Sequence, residues 1–245
     1  MKILVCITHV PDTTSKINFV DNNTKFDSNG VQFIIGPYDD YALARAIELK
    51  ESSAASVTVL NVGLSETEPT LRKALAIGAD DAIRINAEPT DSFFVASQIA
   101  EQAKAIGYDL ILMGRESIDY NGGVVHSIVG ELLGMPSISP VMKLDIDGTR
   151  AKLAKEIEGG KEIVEVNLPF IAGCQEPIAE WKIPNMRGIM SAKTKPLKIV
   201  EPKAVNSGVK LQKFELPAPK GSVRMVSADN VAELVTLLKN EAKVI

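Results

Sequence analysis

The sequence contains few cysteine, histidine and aromatic residues, and each shortage removes a class of function. Because two cysteines and two histidines lie far apart along 245 residues, we expect no structural zinc site. Aromatic residues make up 5% of the chain and its net charge is −4, so we expect no base-stacking surface and no binding to nucleic acid. Cys6 and Cys174 lie in apolar runs without CxxC spacing, which indicates buried free thiols in a reducing compartment.

Two kinds of segment are also missing from the sequence. No run approaches the roughly 20 apolar residues that a membrane-spanning helix needs, and the first apolar run is too short for a signal peptide. We therefore expect a cytoplasmic protein without direct membrane insertion. A Walker A motif and a GxGxxG spacing are both absent, which excludes the two commonest phosphate-binding loops.

The first two-thirds of the chain alternates apolar runs with helical patterns. Strands are predicted at residues 3–8, 57–62, 82–85 and 110–113, with a helix after each one. This alternation favours an α/β fold with a doubly wound, mainly parallel sheet. Farther along, Asp147-Gly148 and Gly159-Gly160 separate apolar runs and predict antiparallel hairpins.

The alternating pattern does not continue in the last part of the chain, because six prolines interrupt it after residue 176. We predict a nucleotide-binding α/β domain with a hairpin insertion at residues 1–176. Residues 177–245 are predicted to form an extended arm that wraps a partner subunit, since a long irregular stretch cannot easily bury itself within a compact domain. Ser227 is predicted to cap a final helix.

Residues 108–136 carry the clearest indication of a ligand site. Strand 110–113 stops at Gly114, and a polar loop with Asp119 and the pair Gly122-Gly123 leads into an apolar helical pattern from Val125. A helix start leaves N–H groups unpaired, and the paired glycines are expected to supply a close backbone approach and φ > 0 at Gly123. Ligands of open α/β sheets bind outside the carboxyl ends of the strands, so this loop predicts a phosphate site. His126, in the first turn, is expected to be solvated, and the alternative is a neutral imidazole that donates to a phosphate oxygen.

Five stretches together resemble a known family. They read KILVCITHVPDTTSKINF, GPYDDYALARAIELKE, TLRKALAIGADDAIRI, AKEIEGGKEIVEVNLPFIAGC and IPNMRGIMSAKTKPLKI. In register over about residues 1–200, they resemble the beta subunit of the electron transfer flavoproteins, including its acid–Gly-Gly–acid signature and its Pro-Asn loop.

The resemblance implies a heterodimer with an alpha subunit that carries most of the FAD site, while the beta subunit holds a structural AMP. Thr13 and Tyr38 match positions that approach the flavin, and Ile183, followed by Pro184 and Asn185, matches an apolar anchor that docks a dehydrogenase. By position, the nucleotide would be lined by Cys6, Val62, Gly114, Ser117, Asp119, Gly122, Gly123, Val124 and Val125.

The loop departs from the family pattern, since Val124 replaces a glutamine and His126 replaces a glycine. AMP, a second FAD as in bifurcating members, and an empty site therefore stay open as alternatives. A third departure is Gly36, which replaces the asparagine that precedes the family's proline.

The implied function is that of an electron carrier with no catalytic residue of its own. It would pass electrons from flavin dehydrogenases, such as the acyl-CoA dehydrogenases of fatty acid oxidation, towards a quinone oxidoreductase. One alternative is an ATP-pyrophosphate-cleaving enzyme, but residues 8–12 lack the glycines that its first loop requires. A nucleotide-binding stress module is the other, and the hairpins and long arm disfavour it.

Overall fold

Strands and helices alternate through most of the molecule. A computed structural model describes residues 1–206 and 208–245. The strands in this part of the chain are β1 (Lys2–Cys6), β2 (His9–Pro11), β3 (Phe19–Val20), β4 (Lys25–Phe26), β5 (Phe33–Ile35), β6 (Ser56–Val62), β7 (Asp81–Ile85), β8 (Leu110–Gly114), β9 (Ser137–Asp147), β10 (Arg150–Ile157), β11 (Gly160–Asn167), β12 (Phe170–Cys174) and β13 (Leu197–Val200). The helices are α1 (Pro37–Ser52), α2 (Glu68–Ile77), α3 (Ser92–Ile106), α4 (Val125–Leu133), α5 (Met186–Ala192) and α6 (Val231–Leu237). A 3₁₀ turn, Ser65–Thr67, precedes α2, and a π-helical turn, Leu238–Ala242, follows α6.

Nine of these strands form one sheet in the order β11-β10-β9-β12-β8-β1-β6-β7-β13. Along this order, each neighbouring pair between β9 and β13 is parallel. At the other end of the sheet, β9, β10 and β11 form an antiparallel meander. The predicted α/β fold and the hairpins are confirmed.

Two apolar cores cover the two faces of the sheet. Ile3 and Val5 of β1 pack in the core that includes α1 and α2, whereas Leu4 and Cys6 pack in the core that includes α3 and α4. This alternation follows from the two-residue period of a strand. Because β1 leads to α1 on one face and β8 leads to α4 on the other, the carboxyl ends of β1 and β8 form the topological switch point, where ligands of such sheets bind.

Capping side chains begin three of the helices, α3, α5 and α6. Asp91 caps α3 as predicted, and its carboxylate accepts a hydrogen bond from the Phe94 N–H at 2.7 Å. The prediction for the last helix is wrong, because Asn230 caps α6 in place of Ser227. The Asn230 side chain accepts from the Glu233 N–H and donates to the Glu233 carboxylate, so the two ends of the first turn satisfy each other.

The tail contains more regular structure than its prolines predicted. β13 pairs in parallel with β7, and Pro196 and Pro202 flank this strand without interrupting it. The chain divides into two compact units, one of residues 1–18 and 27–211 and the other of residues 19–26 and 212–245. The first unit thus continues past the boundary predicted at residue 176, while wrapping of a partner by residues 177–245 stays a prediction.

The second unit is small. β3 and β4 form a hairpin. The Asn23 carbonyl, in the turn between these two strands, accepts a hydrogen bond from the Phe214 N–H at 2.7 Å, and the rings of Phe19 and Phe214 stack with centroids 4.7 Å apart. Across the residues that the structure describes, no helix is both long enough and apolar enough to cross a bilayer.

Candidate functional site

Three of the predicted nucleotide-site residues end neighbouring strands. Cys6 is the last residue of β1, Val62 of β6 and Gly114 of β8, and all three are buried. β1 lies between the other two strands and pairs in parallel with both. The fold therefore brings these residues to one edge of the sheet, at the switch point.

The loop from β8 to α4 carries the other predicted residues. Its acid is engaged within the loop, because the Asp119 carboxylate accepts from the Ser117 hydroxyl and from the Tyr120 N–H, the latter at 2.8 Å. Further on, the Val124 N–H donates to the Gly122 carbonyl at 2.8 Å. These internal bonds give the loop a defined course into α4.

The paired glycines provide space and not a left-handed backbone, so the expectation of φ > 0 at Gly123 is wrong. The left-handed residue of this loop is Asn121, with φ of 49°. A Cβ on Gly122 would lie 3.1 Å from the Ser92 hydroxyl oxygen, whereas a Cβ on Gly123 would lie no closer than 3.6 Å to the Arg115 carbonyl oxygen. Asparagine tolerates the left-handed region, which relieves the glycines of that role.

The N-terminus of α4 lies at the end of the β8–α4 loop. Val124 occupies the N-cap position, and no side chain of the described residues caps the helix there. The first N–H groups of a helix lack partners within it and carry the positive end of the macrodipole. Val125, the first helical residue, belongs to this positive end.

His126 is buried, so the expectation of a solvated side chain is wrong. Its Nδ1 lies 3.2 Å from the Ser137 hydroxyl and 3.0 Å from the Ser127 hydroxyl. Gly173 leaves room for the ring, since a Cβ there would lie 3.0 Å from His126 Cδ2. Burial lowers the pKa of His126, which keeps the ring neutral at pH 7 and avoids a cation at the positive end of α4.

Asp39 is the residue of this edge that sequence reasoning missed. Its buried carboxylate accepts hydrogen bonds from the Thr8 N–H (2.8 Å), the Thr8 hydroxyl (2.6 Å) and the Gly114 N–H (2.7 Å). One side chain of α1 therefore joins the carboxyl ends of β1 and β8 across the switch point. The signal for it was present, because Asp39 lies four residues before the buried Leu43 on the same face of the helix.

Two glycines make room for this carboxylate. A Cβ on Gly36 would lie 2.5 Å from Asp39 Oδ2, and a Cβ on Gly114 would lie 2.6 Å from Asp39 Oδ1. Burial raises the pKa of Asp39 to about 6, even though the bonds from Thr8 and Gly114 favour the charged form. In this chain Gly36, where the resembling family has asparagine, leaves room for the Thr8 hydroxyl and the Asp39 carboxylate.

The two residues predicted to face the flavin lie in different surroundings. Tyr38 is half-buried beside Gly114, and the Arg115 guanidinium lies 5.0 Å from the centre of its ring. Arg115 is held by the Gln175 side-chain oxygen at 2.8 Å and by Glu116. Thr13 is exposed in the turn that follows β2.

The predicted docking residues immediately precede α5. Ile183 is 75% exposed, so its side chain is not buried within its own subunit. Asn185 caps α5 by accepting from the Gly188 N–H at 2.8 Å, and Pro184 lies between them, half-buried. The exposed face continues on α5 with Met186 and Met190.

The two cysteines are buried free thiols, as predicted. Burial raises the pKa of both Cys6 and Cys174, so neither is a reactive thiolate at neutral pH. Among the described residues, no three histidine, cysteine or acidic side chains are grouped so as to hold a metal ion.

Comparison with known proteins identifies the family of this chain. Residues 24–205 match the electron transfer flavoprotein domain family. The chain is 36% identical to the electron transfer flavoprotein subunit beta of Bacillus subtilis, with all of both chains covered. It is 34% identical to the corresponding subunit of Syntrophomonas wolfei, covering all of this chain and 98% of the relative, and 30% identical to that of Bradyrhizobium diazoefficiens, covering all of both. The chain therefore belongs to the electron transfer flavoproteins, a family of electron carriers and not of enzymes, and within it to the beta subunits.

Proposed function

We propose that this chain pairs with an alpha subunit in an electron transfer flavoprotein heterodimer. The heterodimer accepts electrons from flavin dehydrogenases, such as acyl-CoA dehydrogenases, and passes them towards a quinone oxidoreductase. The observation that carries the proposal is similarity to beta subunits over the whole chain at 30–36% identity. In this proposal the FAD lies mostly on the alpha subunit and supplies the redox chemistry, while this chain orients and shields it.

The second part of the proposal is a structural AMP at the carboxyl edge of the sheet. The residues fit such a ligand, because α4 begins without a side-chain cap and no atom lies closer than 3.6 Å to the position of a Cβ on Gly123. Backbone N–H groups at a helix start bind phosphate without requiring a lysine. In this arrangement Gly122 and Gly123 admit the phosphate, and Cys6, Val62 and Gly114 border the adenosine.

The Asp39 carboxylate disfavours phosphate binding at the ends of β1 and β8. Its carboxylate already occupies the N–H groups of Thr8 and Gly114, and it places a negative charge between them. A phosphate would be repelled there and is directed to the start of α4. The uncapped start of α4 is sufficient for the one phosphate of AMP, and it does not require the diphosphate of a second FAD.

Purification with the alpha subunit tests both parts. We expect a yellow 1:1 complex that releases one FAD and one AMP per heterodimer on acid treatment, as measured by absorbance and mass spectrometry. Two FAD and no AMP would replace AMP with the bifurcating alternative. A stable, monomeric, flavin-loaded chain purified alone would refute the heterodimer.

The docking role of Ile183 has its own test. An exposed apolar side chain that enters a partner pocket dominates binding, so Ile183→Glu is expected to abolish reduction by the dehydrogenase while flavin content is unchanged. Ile106→Glu, on the 40% exposed last residue of α3, is the matched control and should leave the rate as it is. Equal rates in both variants would contradict the docking role.

A further inference from the structure

The short helix α5 is attached to α2 by two basic side chains that point in opposite directions. Arg72, on α2, donates from Nη1 to the carbonyls of Ala192 and Lys195, both at 2.8 Å. Lys195 returns the contact, since its Nζ donates to the carbonyls of Leu75 (2.8 Å) and Ala79 (2.6 Å) at the end of α2. We name this reciprocal arrangement of Arg72 and Lys195 the α2–α5 clasp.

The packing under the clasp is close. A Cβ on Gly188 would overlap the Ala76 carbonyl oxygen, so α5 lies against the backbone of α2. Ala192, at the end of α5, is buried. Because the main chains of α2 and α5 are in contact, α5 has little freedom to shift. A displacement of α5 would break the hydrogen bonds that Arg72 and Lys195 donate to main-chain carbonyls.

The opposite face of α5 is unusually apolar for an exposed helix. Met186 is 74% exposed and Met190 is 60% exposed, and Ile183 lies just before them. A helix of seven residues is not stable on its own in water, since nucleation outweighs so few hydrogen bonds. The helical conformation of α5, and with it the position of this apolar face, therefore depends on the attachment to α2 and on the Asn185 cap.

We propose that Arg72 and Lys195 are positioning residues that hold α5, with its apolar face outward, in the conformation that the redox partner binds. This inference rests on the proposed docking function of Ile183. A preordered binding segment avoids the entropic cost of ordering on association, so loss of the clasp weakens docking without altering the flavin. Neither side chain contacts the partner or the flavin in this proposal.

Two substitutions with adjacent controls test the clasp in the purified heterodimer. Arg72→Met is compared with Lys73→Met, and Lys195→Met with Lys193→Met, since Lys73 and Lys193 are exposed neighbours of the same charge. We expect both clasp variants to raise the KM for the heterodimer in the dehydrogenase assay about tenfold, with kcat, flavin content and dithionite reduction unchanged. Hydrogen exchange of the amides of residues 186–192 is expected to accelerate at least tenfold, while that of β1 and β8 is unchanged.

Each outcome separates this inference from the function on which it rests. If Ile183→Glu abolishes partner-driven reduction but neither clasp variant changes KM or amide exchange, the clasp does not position α5. If Ile183→Glu has no effect while the clasp variants accelerate exchange at 186–192, the attachment is real but α5 is not the docking segment, and the proposal is overturned. A second variant, Gly188→Ala, should reproduce the rise in KM by displacing α5 from Ala76.

Discussion

Replacing Asp39 with asparagine tests the bridge between β1 and β8. The substitution keeps the size of the side chain but leaves one acceptor oxygen where the carboxylate has two. An amide oxygen placed towards Thr8 turns its NH₂ group towards the Gly114 N–H, and the reverse orientation opposes the Thr8 N–H. Either way one buried N–H loses its partner, which costs about 1–3 kcal/mol of stability.

An opposing effect depends on pH. Burial raises the pKa of Asp39 to about 6, from an ordinary value of 3.8. A group whose pKa is raised by folding contributes most stability below its unfolded pKa, and that contribution is lost as pH rises through 6. The charged side chain thus costs the wild type about 3 kcal/mol above pH 6, a cost that the neutral asparagine avoids. The stability of the variant relative to the wild type should therefore fall by about 1 kcal/mol between pH 7 and pH 5, as the wild-type carboxylate becomes protonated.

Urea unfolding of the heterodimer at fixed protein concentration, repeated from pH 5 to pH 8, measures this difference. Comparing variant with wild type at each pH removes the contributions of His9 and His126, which titrate in both proteins, and leaves that of Asp39 together with its repulsion of the neighbouring Asp40. Asp40→Asn is the control for the bridge: the pKa of Asp40 is also raised to about 6, so this variant should show a similar pH dependence while the hydrogen bonds from Thr8 and Gly114 to Asp39 are kept. A deficit of Asp39→Asn that is constant across this range would refute titration of the buried carboxylate, and no deficit at any pH would refute the bridge.

Three further predictions concern the same edge and the last helix. Gly114→Ala should destabilise the protein by about 1–3 kcal/mol in urea unfolding and lower its AMP content, since the new Cβ would lie 2.6 Å from Asp39 Oδ1. Gly123→Ala should lower the AMP content without changing the stability. Equal stability of the two variants would contradict the packing argument. Burial lowers the pKa of His126, so its contribution to stability is present above pH 6.5 and is lost as pH falls through its folded pKa. His126→Asn should therefore lose less stability on acidification than the wild type. If the stabilities of variant and wild type changed equally with pH, the ring would not be buried and neutral. Asn230→Ala should accelerate amide exchange in α6 by about fivefold, corresponding to about 1 kcal/mol for a lost cap, and protection equal to wild type would show that the cap is unimportant.

The alternation of strands and helices could be predicted from the sequence because it depends on local chemistry. β1 alternates between two cores with a two-residue period, and Asp91 begins α3 with a bond to a residue three positions away. The edge that carries Cys6, Val62 and Gly114 followed from the same pattern, since parallel strands place their carboxyl ends together. Recognition of the family was possible for a related reason, because its motifs are contiguous stretches of chain.

Other features depended on residues that are distant in sequence. The role of Asp39 requires Thr8, 31 positions before it, and Gly114, 75 positions after it. Burial of His126 requires the neighbouring β9 and β12, and β13 becomes a strand because β7 offers a free edge to a segment that its flanking prolines seemed to exclude.

What the sequence by itself determined is therefore the set of elements, their order and the edge at which the parallel strands end, all of which follow from periodicity and from turn and capping residues. Only the tertiary structure decided which polar side chains are buried and with whom. A hydrogen bond such as that from Gly114 to Asp39, or from Arg72 to Ala192, exists only after the sheet and helices have packed. No local pattern records it, because the two partners become neighbours through folding alone.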